Sequence, residues 1–404
     1  MKASWMIGGA LALALATTQS AAFGQAATAT VVKAPVAAMA QDYVAQNRTQ
    51  GIVIAYGVGD SVPVFASAGR IAVEADAAAA GPDSLWRVYS MTKPITGMAA
   101  MMLVEDGKLK LDQPISEFFP GFRNMKVLTD PVNSLDSRPA KTQITVRHLL
   151  THTAGLGYSI ITKGPLLQEY ERLGITPGAV NAALEAQARP LRPKSLKEFA
   201  QRVATLPLIA EPGTKWSYSI SLDLLPAIIE AAAGMPYEQF LQKRLLGPLK
   251  MTSTYWTVPQ SEIARFATNY AWAGDNRVPF DPARSSAWLT PPSFPYGGAG
   301  LVMSARDYDR FLHMLANGGI VDGVRVMKAE TVRLAMSDLL PAGVTFGGAP
   351  GGAAARQGRR WVLARADRCS LRIYPAGRAR APMAGAVRRA RSRGSIRRKR
   401  CAGR

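Results

Sequence analysis

The sequence predicts an α/β protein in two parts: an antiparallel sheet flanked by helices, built from strands before residue 90 and after about residue 280, with a helical region inserted between them. Three observations lead there. β-rich runs come early in the chain, and a long block of helical segments joined by Pro/Gly loops fills its middle. With 48% hydrophobic residues over 404 positions, the chain can bury one large core or two modest ones. That composition excludes a disordered chain as the general description.

At the N-terminus, Lys2 precedes an apolar run from Trp5 to Ala16, followed by Thr17-Thr18-Gln19-Ser20 and small residues reaching Ala26. This is the layout of a secretory signal peptide, and the run is too short to span a bilayer as a stable helix. Residues 1–26 are therefore expected to be a signal peptide cleaved after Ala22 or Ala26. The mature protein is expected to be exported, periplasmic or secreted, with no transmembrane segment.

The globular body is read as residues 30–348, with its sheet part at about 30–90 and 280–348 and its helical part at about 91–280. Val36 to Gln46 reads as a short amphipathic helix. Ile52 to Tyr56 and Val62 to Ala66 are β-rich runs separated by Gly57-Val58-Gly59-Asp60, so they form a hairpin. Ser90 to Asp106 is a helix with apolar residues on most faces, which implies deep burial. Pro94 is tolerated only near a helix start, where backbone N–H groups lack partners, and this places Ser90 at or near the N-terminus. Ser195-Leu196-Lys197-Glu198 is a capping box, Gly234 ends a helix, and Ser304 with Asp307 opens another that reaches Asn317. Lys328 to Leu339 reads as the last helix of the body.

Charge separates the body from the C-terminal tail. The formal charge is +21, but residues 349–404 contain 17 Lys and Arg against one acid, Asp367, which leaves only +5 for residues 1–348. Both cysteines, Cys369 and Cys401, also lie in this tail, so the body has no thiol for a disulfide, a metal or a nucleophile. Only Ser370 to Tyr374 resembles a strand there.

The chemistry begins at Ser90-Met91-Thr92-Lys93. A serine hydroxyl is a weak nucleophile until a base within hydrogen-bond reach takes its proton. Positions i and i+3 of a helix share a face, so Ser90 and Lys93 can present Oγ and Nζ to one another. The helix start also directs free N–H groups and partial positive charge at Ser90, which favours the alkoxide and the oxyanion formed after attack. A lysine acting as a base must lose its proton, which burial promotes. Ser-x-x-Lys alone is weak evidence, because a solvated lysine on a Ser-capped helix has the same spacing.

The surrounding blocks are more specific. Ser90-Met91-Thr92-Lys93-Pro94-Ile95-Thr96, His148 to Leu156, Pro248-Leu249-Lys250-Met251 with Thr254, and Gly297 to Leu301 leading to Asp307-Tyr308 occur in that order. Over nearly all of residues 40–340 this pattern resembles the class C β-lactamase-like serine hydrolases and penicillin-binding proteins, and within them the family VIII carboxylesterases. The resemblance implies a β-lactamase/transpeptidase-like fold and an acyl-enzyme on Ser90, with the Ser90 backbone N–H as one oxyanion donor. It places the family's Tyr-x-Asn at Tyr218-Ser219-Ile220, so Tyr218 would share a proton with Lys93. Here the sequence departs, because Ile220 offers no amide to a β-lactam or peptide substrate. A site without that donor suits simple esters better.

Other chemistries fit less well. His148 and His152 have i, i+4 spacing, but His313 is the only other histidine and no Glu follows His148, so both are read as structural and no metal is expected. Gly-x-Ser-x-Gly is absent, and Gly297 to Gly300 lacks the Lys-Ser/Thr of a P-loop and reads as a tight turn. No cofactor is expected.

The tail admits two explanations. Runs such as Arg388-Arg389-Ala390-Arg391 could bind nucleic acid or anionic lipid. Alternatively, a reading-frame change near residue 349 in a GC-rich gene yields this Arg/Ala/Gly/Pro composition, and that is the expectation, with no nucleic-acid partner. The family's third motif, Lys/His-Thr-Gly or Trp-Gly-Gly, is missing after residue 340, and with it the second oxyanion donor. Losing one such donor costs about 3 kcal/mol, or roughly 10²–10³ in rate. The C-terminal strands are then expected to be lost or replaced.

Taken together, the sequence predicts a cofactor-free serine hydrolase acting through Ser90, Lys93 and Tyr218 on small carboxylic esters. The alternatives are a class C-like β-lactamase or D-alanyl-D-alanine carboxypeptidase, or an inactive relative or tail-mediated nucleic-acid binder. The substrate is a small-molecule ester or β-lactam, and nothing in the sequence indicates an oligomeric state.

Overall fold

A computed structural model describes residues 34–57 and 61–346, together with the backbone of 370–375. The expected signal peptide, the turn residues 58–60 and the rest of the basic tail, where the reading-frame change is expected, lie outside the described residues.

A helix over 34–45 (α1) leads into the antiparallel pair β1 (Gly51–Gly57) and β2 (Val64–Gly69), with Gly51 opposite Gly69 and Tyr56 opposite Val64. β3 (Leu85–Arg87) then runs through a 3-10 turn at Tyr89–Met91 into α2 (Thr92–Glu105). The middle of the chain holds β4 (Lys126–Leu128), β5 (Ser137–Pro139), α3 (Val146–Leu150), α4 (Gly164–Arg172), α5 (Ala182–Ala188), α6 (Leu196–Val203), α7 (Ser221–Ala233) and α8 (Tyr237–Leu241). After them come β6 (Thr254–Tyr255), β7 (Asn269–Ala273) and β8 (Asn276–Asp281), then β9 (Val302–Ser304), α9 (Ala305–Ala316), β10 (Ile320–Val321), β11 (Val324–Arg325), α10 (Ala329–Ala335) and β12 (Ser370–Pro375).

The architecture is mixed α/β with antiparallel sheets, but among the described residues the strands do not form one sheet. They form two three-stranded sheets, β12-β1-β2 and β3-β9-β6, and three ribbons, β4-β5, β7-β8 and β10-β11. The expected helical region, 91–280, therefore also contains five strands, β4 to β8. Several are only two or three residues long, too short to show a two-residue period in the sequence. Among the described residues the basic tail contributes one strand, β12. β12 pairs along β1 from Ile52 opposite Pro375 to Gly57 opposite Ser370. β1 is buried from Gly51 to Tyr56, and a buried strand needs its backbone groups paired on both edges.

The main core forms where α2 meets α7: Ile95, Met101, Met102 and Leu103 share it with Leu224, Leu225, Ile228 and Ile229. Both helices are apolar nearly all round, so both lie inside the protein. Elsewhere the helix ends follow the sequence signals, with differences at α6 and α10. Ser195 accepts the Glu198 N–H, but the Glu198 carboxylate accepts from Lys194 N–H rather than closing the box on Ser195. The last helix, expected from Lys328 to Leu339, stops at Ala335. There the Ser337 hydroxyl donates to Leu334 O, and the Asp338 carboxylate accepts the Leu340 N–H, so side chains compete with helix bonding. Gly234 and Ser304 cap their helices as read, Gly234 at φ 67°. Among the described residues no helix is long and apolar enough to cross a membrane.

One buried ion pair ties the strand before Ser90 to the far side of the fold. Arg87 and Asp281 have side chains 3% and 0% exposed and approach to 2.5 Å. Asp281 also accepts from the Ser286 hydroxyl and the Ala287 N–H, while the guanidinium lies 4.0 Å from the Phe266 ring centroid. Removing one partner strands the other charge in a low-dielectric interior. Asp281→Ala is expected to cost about 3–5 kcal/mol, read as a lower urea midpoint. A loss below about 1 kcal/mol, the scale of a surface pair, would contradict this account.

Candidate active site

Ser90 sits in the 3-10 turn between β3 and α2, not on the α-helix proper. The residue before it, Tyr89, has φ 42°, the left-handed region that a bulky side chain enters only when its surroundings hold it there. The holding contacts are local: Asn269 Nδ2 donates to the Tyr89 hydroxyl at 2.8 Å, and the ring meets Trp288 edge-on at 5.7 Å. Burial pushes the Tyr89 phenol up to about 12, so it stays neutral.

The three residues singled out in the sequence come together. Lys93 Nζ donates to Ser90 Oγ at 3.1 Å, and Tyr218 Oη lies 2.6 Å from the same oxygen. Because the lysine donates to Oγ, the serine proton is free to point at the tyrosine oxygen. Lys93 is 9% exposed, buried beside the rings of Tyr218 and Tyr158 at 4.7 and 5.9 Å from their centroids. Ser90, by contrast, is exposed. The site therefore combines a buried amine with an accessible hydroxyl.

A third partner of Lys93 carries no signature in the sequence. Nζ donates to Gly298 O at 2.7 Å, in the turn at 297–299. The neighbouring Gly297 O accepts from Thr96, whose hydroxyl is also 2.7 Å from Tyr237 Oη. Gly298 N–H donates to Asp223 Oδ1 at 2.9 Å. A Cβ at Gly298 would fall 2.4 Å from that carboxylate, and one at Gly297 would fall 2.4 Å from Pro226 Cγ. Only glycine lets this backbone approach α7 so closely. The available signal was Asp223 itself, a lone acid inside the apolar stretch Leu222 to Ile229.

Ile220 is 2% exposed and belongs to the main core, so the position that the resemblance matches to the Asn of Tyr-x-Asn presents no polar group. The two histidines do not share a helix face. His148 lies in α3, where its Nδ1 accepts the Thr145 N–H as part of a cap. His152 lies beyond the helix at φ 56°, with its ring 5.0 Å from that of Tyr218 and Nδ1 3.1 Å from Ser219 Oγ. Among the described residues no group of three or more His, Cys, Asp or Glu is placed to hold a metal ion.

His152 is densely surrounded. Burial first, and then the charge of Lys93, lowers its pKa from 6.5 to about 3. A histidine depressed in the folded state costs nothing above its unfolded pKa. Below that pKa the unfolded chain takes up the proton first, so stability falls as pH falls from 6.5 toward 3. We expect His152→Gln to flatten the pH dependence of unfolding between pH 7 and pH 5 by on the order of 1–2 kcal/mol. Parallel urea titrations at the two pH values measure it, and parallel curves for the two proteins would contradict it.

Comparison with known proteins adds the family context. The Beta-lactamase family model matches residues 36–368, further than the motif resemblance over 40–340. An uncharacterized protein of Mycobacterium tuberculosis (strain CDC 1551 / Oshkosh) is 40% identical over 64% of this chain and 60% of its own length. Esterase EstB of Burkholderia gladioli is 34% identical over 59% of each chain. The chain thus spans about 60% of the length of these curated relatives. Among solved structures, EstCE1, described as a hydrolase with promiscuous acyltransferase activity, superposes with a TM-score of 0.61 at 25% identity, over 78% of both chains.

Proposed function

Because the chain belongs to the Beta-lactamase family, whose relatives of this chain include an esterase and acyltransferases, we propose that it is a serine hydrolase acting on small carboxylic esters through an acyl-enzyme on Ser90. The observation that carries this reading is the convergence of Lys93 Nζ and Tyr218 Oη on Ser90 Oγ, at 3.1 and 2.6 Å. Ser90 Oγ attacks the ester carbonyl carbon as its proton passes to the Lys93–Tyr218 pair. The tetrahedral oxyanion collapses, the C–O bond to the alcohol breaks, and the departing alkoxide takes that proton. Water then attacks the acyl-enzyme with the same groups acting in reverse, releasing the acid and restoring Ser90.

An ester ranks above a β-lactam because Ile220 is apolar and buried where an amide donor would serve an acylamide substrate. We expect the full chain to hydrolyse p-nitrophenyl butyrate in preference to a chromogenic cephalosporin. Ser90→Ala should abolish turnover, while Lys93→Ala and Tyr218→Phe should each lower kcat by about 10²–10⁴-fold. Rapid cephalosporin turnover without esterase activity would reverse the substrate ranking. Activity that survives in Ser90→Ala would remove the nucleophile.

A further inference from the structure

Asp223 is buried at 2% exposure in the first turn of α7, where the helix N-terminus favours negative charge. Its Oδ1 accepts the Gly298 N–H, but its Oδ2 is enclosed with no hydrogen-bond partner. A buried carboxylate oxygen left unpaired is costly, and such groups persist where a nearby charge or a function compensates. Lys93 reaches the same glycine from the opposite side, donating to its carbonyl. Gly298 therefore stands between a buried carboxylate and a buried amine.

We infer that Asp223 is a positioning residue for Lys93: it holds the glycine to which the lysine nitrogen is bonded, and its negative charge stabilises the lysine cation formed when Ser90 gives up its proton. The inference rests on the proposed roles of Ser90 and Lys93. One proton leaves Ser90 Oγ for the Lys93–Tyr218 pair as the Oγ–acyl bond forms, and it departs with the alcohol. Asp223 exchanges no proton in the cycle.

Among the described residues, the groups facing the pair add no second cation. Tyr158 from the loop after α3 and Tyr237 from α8 both feel the Asp223 charge, and burial raises the pKa of each, so both stay neutral. Tyr218 presents its ring to Lys93, and His152 is uncharged near neutrality. Burial raises the Asp223 pKa, and the charge of Lys93 and the hydrogen bond from Gly298 N–H oppose that shift.

Asp223→Asn separates charge from shape, because its amide oxygen still accepts the Gly298 N–H. Asp223→Glu keeps the charge. On the full chain we would measure Ser90 labelling by a fluorophosphonate probe and p-nitrophenyl butyrate hydrolysis from pH 5 to pH 9, with thermal unfolding alongside. In Asp223→Asn, losing the negative charge disfavours the protonated lysine. The acid limb of the rate profile should then move to lower pH by about one unit or more, with kcat falling at least about tenfold and KM little changed. Asp223→Glu should keep the acid limb of the wild type even if its rate falls. An Asp223→Asn protein that follows the wild-type pH curve, or that loses only thermal stability, overturns the inference while leaving the function intact. A wild type that shows no Ser90-dependent labelling overturns the functional reading, and this one with it.

Discussion

At Gly297 and Gly298 the backbone lies closer to α7 than any residue with a side chain could, and the arrangement around Ser90 depends on that approach. Pro226 inside α7 has no N–H, so the Leu222 carbonyl one turn earlier lacks its helical donor. Gly297 fits against this interruption: a Cβ there would meet Pro226 Cγ at 2.4 Å and Leu222 O at 2.6 Å. Both helices then secure the turn, Thr96 of α2 through the Gly297 carbonyl and Asp223 of α7 through the Gly298 N–H. One tight backbone approach thus sets the distance between the helix that carries Lys93 and the helix that follows Tyr218.

The site is also anchored from its other side. Tyr89 is held in a left-handed conformation by Asn269 and Trp288, and Arg87, two residues earlier, is locked to Asp281. The segment leading into Ser90 is therefore fixed by contacts made more than 170 residues later in the chain. Such strain persists only where the surroundings over-determine it, and here it places the hydroxyl at the mouth of α2 rather than within its first turn.

How legible each feature is in the sequence depends on how local its signal is. The helix that follows Ser90, the hairpin before it and the Ser304 cap are short-range patterns of apolar period and cap chemistry, and each has its counterpart in the structure. The grouping of Ser90, Lys93 and Tyr218 was legible because Ser-x-x-Lys is local and the stretch around Tyr218 resembles the family's Tyr-x-Asn. The Gly298 carbonyl was not, because a backbone acceptor has no residue-type signature. Asp223 was visible as an isolated acid in an apolar run, but its partner lies 75 residues away. The same distance limit explains why one sheet was expected where the described strands form two three-stranded sheets and three ribbons. Strands of two or three residues take their register from distant partners, as β6 does from β9.

The contrast between an exposed Ser90 and a buried Lys93 also bears on the fate of any acyl group placed on the serine. An acyl group on an open hydroxyl meets water at its bulk concentration and dissolved alcohols at theirs. The ratio of acid to new ester would then be a kinetic partition, set by the relative nucleophilicity and abundance of the acceptors more than by a walled pocket for one of them. In such an enzyme, the identity of the product would depend as much on the composition of the surrounding medium as on the protein.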